Sequence, residues 1–199
     1  MNEPRLTHPL DAPPAATEVG FLWHPASALP RLTASAELQS WALERGSLTR
    51  RLRERWADTR VQVLSEALTP PLPHEALALG LAADEAAWVR CVVLRGGERP
   101  RIYARTVIPN WHPHNPWAEV QALGEQPLGE LLFTLPDLSR SDFEWALNAP
   151  WPEALAQASA DQPEVLARRC TFVRGHAPLL LTEVFLQLQA PTPCANSSD

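Results

Sequence analysis

A predicted hairpin of two apolar strands constrains the fold of this chain more than any other feature of its sequence. Segments 87–95 and 101–108 are rich in β-branched and aromatic residues, and Gly96-Gly97 follows the first of them. Two glycines between such runs are typical of a tight antiparallel turn. Segment 179–188 has the same character and predicts a third strand. We therefore expect an antiparallel sheet at the centre of the fold.

Helical patterns lie between these strands. Ser47 is placed to cap a helix that carries Leu48 and Leu52 on one stripe. Strands in hairpins with helices segregated between them are typical of an α+β fold, and 199 residues are enough for one domain with a buried core. The predicted fold class is therefore α+β, a single domain built on an antiparallel β-sheet. Further predicted elements are helices over 36–41, 127–133 and 153–166 and strands over 60–67 and 169–174.

The prolines indicate how the chain is divided. There are 21 of them, and they cluster before residue 31, around 70–73, around 109–116 and at 191–193. Clusters of this kind mark connections and frayed termini. We expect a partly ordered leader over 1–33, one folded domain over 34–190 and a flexible tail over 191–199.

The composition excludes several classes of function. All 17 basic residues are arginine, and 23 acidic residues give a net charge of −6. The sequence therefore gives no sign of the positively charged surface with which proteins bind nucleic acid. No apolar stretch approaches the roughly 18 residues that a membrane helix needs. Three separated cysteines without a Cys-x-x-Cys motif fit a reducing compartment. His112 and His114 have no third ligand nearby in sequence, which argues against a metal site. The sequence thus predicts a soluble, cytoplasmic protein without metal.

Three charged residues interrupt apolar strand faces. Strand alternation places Arg90, Arg105 and Glu183 each between apolar neighbours. If the hairpin loop has an even number of residues, Arg90 and Arg105 share one face at roughly 7–8 Å, whereas an odd loop separates them. Two desolvated arginines need more than one carboxylate, so a small ligand with one or two carboxylates would suit the even case. The alternative is a buried Arg–Glu pair or network that only orders the core, or arginines whose side chains extend to solvent at the rim of the sheet.

Five segments, three of which carry these residues, resemble the chorismate pyruvate-lyases of ubiquinone biosynthesis, in the order that is found in that family. The resemblance runs from about residue 41 to 186 and implies an α+β fold with helical flaps over an internal ligand site. It implies removal of pyruvate from chorismate to give 4-hydroxybenzoate, the first committed step toward ubiquinone, without metal or organic cofactor. We expect the protein to be a monomer. The matching segments are GSLTRRL (46–52), WVRCVVL (88–94), ARTVIP (104–109), LGEQPLGELLF (123–133) and PLLLTEVFL (178–186).

The resemblance also implies roles for single residues. Arg90 matches the arginine that binds the ring carboxylate, and Arg105 matches the one near the enolpyruvyl group. Glu183 matches the acid that hydrogen-bonds the 4-hydroxyl, either as general base for the carbon-4 proton or only to orient that hydroxyl. Leu128 and Leu48 match positions that line the substrate site. Arg105 and Glu183 are thus the expected catalytic residues.

A binding module is the alternative function. Effector-binding domains of GntR-type regulators share the lyase fold and sense small molecules without converting them, so the fold alone does not fix the function. The combination of Arg90, Arg105 and Glu183 favours the lyase.

Overall fold

The computed structural model describes residues 21–159 and 164–188. Most of the predicted leader and the whole predicted tail lie outside these ranges. No helix in the described part of the chain is long and apolar enough to cross a membrane.

A single antiparallel sheet forms the centre of the structure, as predicted. Its strand order is β1-β2-β3-β7-β6-β4, and β5 pairs with a further part of β6. The α+β fold class and the hairpin of β2 and β3 are therefore confirmed. The strands are β1 (Arg60–Thr69), β2 (Ala87–Gly96), β3 (Arg99–Ile108), β4 (Ser139–Arg140), β5 (Glu144–Leu147), β6 (Leu166–Arg174) and β7 (Ala177–Phe185).

The helices are short and lie against both faces of the sheet. The third of them begins as predicted, because the Ser47 hydroxyl oxygen accepts a hydrogen bond from the Arg50 amide at 3.2 Å. Of the predicted helix over 153–166, Glu153–Ser159 forms a 3₁₀ helix and residues 160–163 lie outside the described part of the chain. The prediction is wrong at its end, because Leu166 already belongs to β6. The α-helices are α1 (Leu29–Leu32), α2 (Ala36–Ala42), α3 (Leu48–Arg55), α4 (Pro73–Leu79) and α5 (Leu128–Leu132), and 3₁₀ helices span Ala26–Ala28, Ala118–Ala122 and Glu153–Ser159.

Helix α4 was not predicted, because its prolines read as a connection. Pro73 stands at the first helical position, where its missing N–H costs no hydrogen bond. The Glu75 side chain accepts a hydrogen bond from the Leu72 amide at 2.9 Å and so caps the helix start. Gly80 ends the helix with φ +67°, a conformation that glycine adopts without strain.

A bulge in the hairpin decides which charged residues share a face. The turn has two residues, Gly97 and Glu98, which is the even case. One step further along, Arg95 pairs with Pro100 but Leu94 pairs with Ile102, so β3 carries one extra residue. An extra residue reverses the alternation beyond it. The expectation that an even loop would bring Arg90 and Arg105 to one face is therefore wrong.

The two faces of the sheet carry separate cores. We call the side with Arg90 the front face and the side with Arg105 the back face. The front face packs against α2, α3 and α5 in a core that includes Trp41, Leu52 and Leu132. The back face packs against α4 and the 3₁₀ helix at 153–159. Both faces are thus covered, and each can bury charged side chains.

One histidine on the back face makes stability depend on pH. The His74 ring stands edge-on to Phe21 at 5.0 Å, and both its nitrogens are buried without a hydrogen-bond partner among the described residues. Burial, and to a lesser degree the charges of Arg169 and Arg105, lower its pKa from 6.5 to about 4, although Glu75 opposes the shift. The unfolded chain therefore binds this proton at higher pH than the folded chain does.

We expect the free energy of unfolding to fall as the pH is lowered from above 6.5 toward 4. The contribution of His74 is present above its unfolded pKa and amounts to at most about 3 kcal/mol. Urea unfolding across this pH range measures it, and His74→Leu should flatten the profile. Exposed His112→Gln is the control and should leave the profile unchanged. A profile that is the same in His74→Leu and in the parent would contradict this expectation.

Candidate active site

A cavity of about 380 Å³ lies between the front face and the helices above it. Its floor is formed by β2, β3, β6 and β7, and its roof by the start of α3 and by residues 127–129 at the start of α5. Leu48 and Leu128 both line it, where the resemblance placed them. This volume is in the range of small-molecule sites.

Arg90 lines one end of this cavity. Its side chain is 2% exposed, and one terminal nitrogen pairs with the Glu66 carboxylate. The other terminal nitrogen donates to the carbonyl oxygens of Gly124 at 2.7 Å and Gln126 at 3.4 Å. A guanidinium has five N–H donors, so these three contacts fix its plane and leave donors for a ligand.

Glu66 was missed by the sequence reasoning. Simple alternation along β1 puts Glu66 on the face opposite to Val61 and Val63. A register shift between Val63 and Ser65 removes Leu64 from the pairing and places Glu66 directly opposite Arg90. Strand alternation alone contains no signal for this shift.

Glu183 lies at another part of the cavity and is held by an arginine that the sequence reasoning also missed. Glu183 on β7 pairs with Arg168 on β6. The Arg168 Nε donates to Glu183 Oε2 at 2.6 Å, and both residues line the cavity. The Arg168 side chain packs over Phe143, with 4.4 Å between the guanidinium carbon and the ring centroid. The carboxylate is therefore paired within the fold before any ligand enters.

The sheet register sets the separation of Arg90 and Glu183. Arg90 pairs with Thr106, whereas Glu183 pairs with Ala104, so the two residues lie one front-face row and two strands apart. Strand spacing and rise then place their Cα atoms about 12 Å apart. Side chains that reach inward from these positions can contact opposite ends of a six-membered ring.

A second guanidinium stands close to the Glu183 end. Arg140 lines the cavity and lies over the same Phe143 ring as Arg168, 4.9 Å from its centroid. Its NH1 donates to the Arg45 carbonyl oxygen at 3.0 Å. This end of the cavity thus combines one carboxylate with two guanidinium groups, a surplus of positive charge that suits an anionic ligand group.

Cys170 is a neutral part of the cavity wall. Burial, and then the charge of Glu183, raise the pKa of its thiol to about 12, although Arg168 and Arg140 act in the opposite direction. The thiolate, which is the nucleophilic form, is therefore scarce near neutral pH. We assign Cys170 no chemical step.

Arg105 lies on the back face, away from this cavity. The described lining includes Arg90, Leu48, Leu128 and Glu183 but not Arg105. Its Nε donates to Glu75 Oε1 at 2.8 Å, and its NH1 contacts Cys91 Sγ at 3.4 Å. Burial alone would lower the pKa of Arg105, but the Glu75 carboxylate and its hydrogen bond raise it above the usual value. The structure thus places Arg105 in a buried ion pair, because the bulge turned it away from Arg90.

The described residues hold no group of three or more His, Cys, Asp or Glu side chains that could bind a metal ion. Fold and cavity together define an α+β protein with an internal site whose charges suit a small anion. The sequence model of the chorismate lyase family matches residues 19–192. The chain belongs to the chorismate lyase family, which confirms the resemblance and the expected class of enzyme.

Individual relatives agree with this assignment. A probable chorismate pyruvate-lyase of Hydrogenovibrio crunogenus is 40% identical over 167 residues, which cover 83% of this chain and 90% of that protein. One of Thiobacillus denitrificans is 37% identical over 176 residues, which cover 86% and 91%. Among solved structures, the effector domain of PhnF from Mycobacterium smegmatis is 14% identical with a TM-score of 0.51 and covers 72% of this chain and 90% of that one. That likeness shows a shared fold.

Proposed function

We propose that this protein removes pyruvate from chorismate to give 4-hydroxybenzoate, as the first committed step toward ubiquinone. The observation that carries the proposal is the placement of Arg90 and the Arg168-paired Glu183 in one cavity. The similar proteins named probable chorismate pyruvate-lyases support the choice of substrate.

The charges of the cavity match those of chorismate. Its ring carboxylate and its 4-hydroxyl stand at opposite ends of the ring, where Arg90 and Glu183 can contact them. Its second carboxylate belongs to the enolpyruvyl group at carbon 3, next to the hydroxyl. That carboxylate would lie near Arg140 and Arg168, which take the place that the resemblance gave to Arg105.

The reaction breaks the ether bond at carbon 3 and removes the hydrogen at carbon 4, which makes the ring aromatic. The hydrogen passes to the methylene carbon of the leaving enolpyruvyl group, so that the products are 4-hydroxybenzoate and pyruvate and no oxidant or reductant is consumed. The protein's contribution is to hold the reactive ring conformation and to stabilise the charge that builds on the departing oxygen. Arg140, which lies at this end of the cavity, is placed for that stabilisation.

Glu183→Gln tests whether Glu183 takes the proton itself. We favour orientation of the 4-hydroxyl, because the methylene carbon of the leaving group can accept the hydrogen. Glutamine keeps the size of the side chain and an amide that can hydrogen-bond the hydroxyl but cannot take a proton, so kcat should fall less than about tenfold. A general base contributes about 10²–10⁴-fold, and a loss of that size would support the base role instead. Glu183→Ala is the control that removes the acceptor.

The direct test of the proposed function is to incubate the purified protein with chorismate and to quantify both products. We expect 4-hydroxybenzoate and pyruvate in equal amounts, at a rate proportional to protein concentration. Binding of 4-hydroxybenzoate without release of pyruvate would favour a binding module, which the shared effector-domain fold permits but does not demonstrate.

A further inference from the structure

We infer that Arg168 is a positioning residue, which fixes Glu183 for recognition of the 4-hydroxyl and couples it to the segment that leads into α3. The inference rests on the proposed function and adds a residue that the family resemblance did not assign. It is carried by the hydrogen bonds of one buried guanidinium group.

Arg168 is held by the fold on two sides. Its NH1 donates to the carbonyl oxygens of Ala42, the last residue of α2, at 2.6 Å and of Glu44 at 2.7 Å. Its Nε donates to Glu183 Oε2 at 2.6 Å. A guanidinium is planar and rigid. Because two carbonyl oxygens hold NH1, the direction of the Nε–H group that donates to Glu183 is fixed as well.

The contact leaves Glu183 able to act on a ligand. Arg168 binds Oε2, so Oε1 is the oxygen that can accept a hydrogen bond from the 4-hydroxyl. Without Arg168, a carboxylate that is 12% exposed would lose its ion-pair partner and could relax to other rotamers. The 4-hydroxyl would then have no hydrogen-bond acceptor in a fixed position.

The hydrogen bonds of Arg168 also join the floor of the cavity to its roof. Residues 42–44 lead into Gly46, Ser47 and Leu48, which line the cavity. Arg168 therefore links the position of this wall to the position of Glu183. Arg140 also bonds this segment, at the Arg45 carbonyl oxygen, but none of its described hydrogen bonds goes to Glu183.

The next residue along the chain provides a matched control. Arg169 points to the back face, where its Nε donates to Glu144 at 2.8 Å and its NH1 to the His74 carbonyl oxygen at 3.2 Å. The two arginines are similarly buried, at 3% and 8% exposure. Arg169 thus repeats the chemistry of Arg168 without contact to the cavity.

The test is the ratio of affinities for 4-hydroxybenzoate and benzoate, measured by calorimetry in the full-length protein. Only the 4-hydroxyl differs between these ligands, so a general loss of stability does not by itself move the ratio. Arg168→Gln should lower the ratio about tenfold, toward the value of Glu183→Ala, whereas Arg169→Gln should leave it unchanged. Arg168→Lys keeps the charge without the planar fork and should give an intermediate ratio.

Each result of this test decides the inference. An unchanged ratio in a folded Arg168→Gln overturns it, and if that variant does not fold, an unchanged ratio in Arg168→Lys overturns it as well. An equal fall in Arg169→Gln also overturns it, because the effect would then be structural. A parent protein that neither binds 4-hydroxybenzoate nor releases pyruvate from chorismate refutes the proposed function itself, which is a distinguishable failure.

Discussion

Replacement of Arg90 by alanine is expected to lower kcat/KM for chorismate by about 100-fold or more, chiefly through a higher KM. The substitution removes charge-assisted hydrogen bonds to the ring carboxylate and leaves that anion in a desolvated cavity without its partner. Steady-state kinetics and the dissociation constant of 4-hydroxybenzoate measure both effects. Unchanged affinity for 4-hydroxybenzoate would contradict the anchoring role.

Arg95→Ala, on the same strand, is the control that separates an effect on substrate binding from an effect on folding. Arg95 on β2 bonds only to Gln62 and to the Glu98 carbonyl oxygen among its described partners. Arg95→Ala should therefore leave KM within about twofold of the parent, as surface substitutions usually do. The Arg90→Ala protein should remain folded, since Glu66 is 23% exposed and can be solvated once its partner is lost.

Replacement of Arg105 by alanine is expected to destabilise the fold by about 3–5 kcal/mol, with little effect on KM. Glu75 is fully buried, so the substitution leaves a carboxylate without its ion-pair partner. Urea unfolding gives the loss of stability directly. A tenfold rise in KM with unchanged stability would instead place Arg105 at the substrate.

A double substitution checks the physical cause of that loss. Arg105→Met with Glu75→Gln removes both charges, while the glutamine side chain can still cap the Leu72 amide. Replacing a buried ion pair by neutral groups is often close to neutral in stability. We therefore expect the double variant to recover most of the stability that Arg105→Ala loses, and failure to recover it would argue against an unpaired Glu75 as the cause.

Much of the site could be predicted because local patterns determine it. Ser47 is a helix cap that needs only its own neighbours, and it places Leu48 at the cavity roof. The alternation of apolar and charged residues identified Arg90 and Glu183 as charges on apolar faces before any register was known. The family resemblance then added Leu128, which also lines the cavity.

The remaining parts depend on register and tertiary packing, which local patterns do not contain. One extra residue near Arg101 places Arg105 on the back face, although the loop has the even number of residues that by itself would have put it on the same face as Arg90. Arg101 itself donates to the Gly96 carbonyl oxygen at 3.0 Å and lies over Trp56, contacts that no short sequence window shows. Arg168 was missed for a related reason, since only the pairing of β6 with β7 brings it to Glu183.

A crystal structure with 4-hydroxybenzoate tests the central claim most directly, because it shows which face of the sheet holds the ligand and in which direction. We predict the ligand in the front-face cavity, with its carboxylate within about 3 Å of the Arg90 guanidinium and its hydroxyl at the same distance from Glu183 Oε1. A ligand bound beside Arg105 on the back face, or one with its carboxylate at the Arg168 end, would contradict this account.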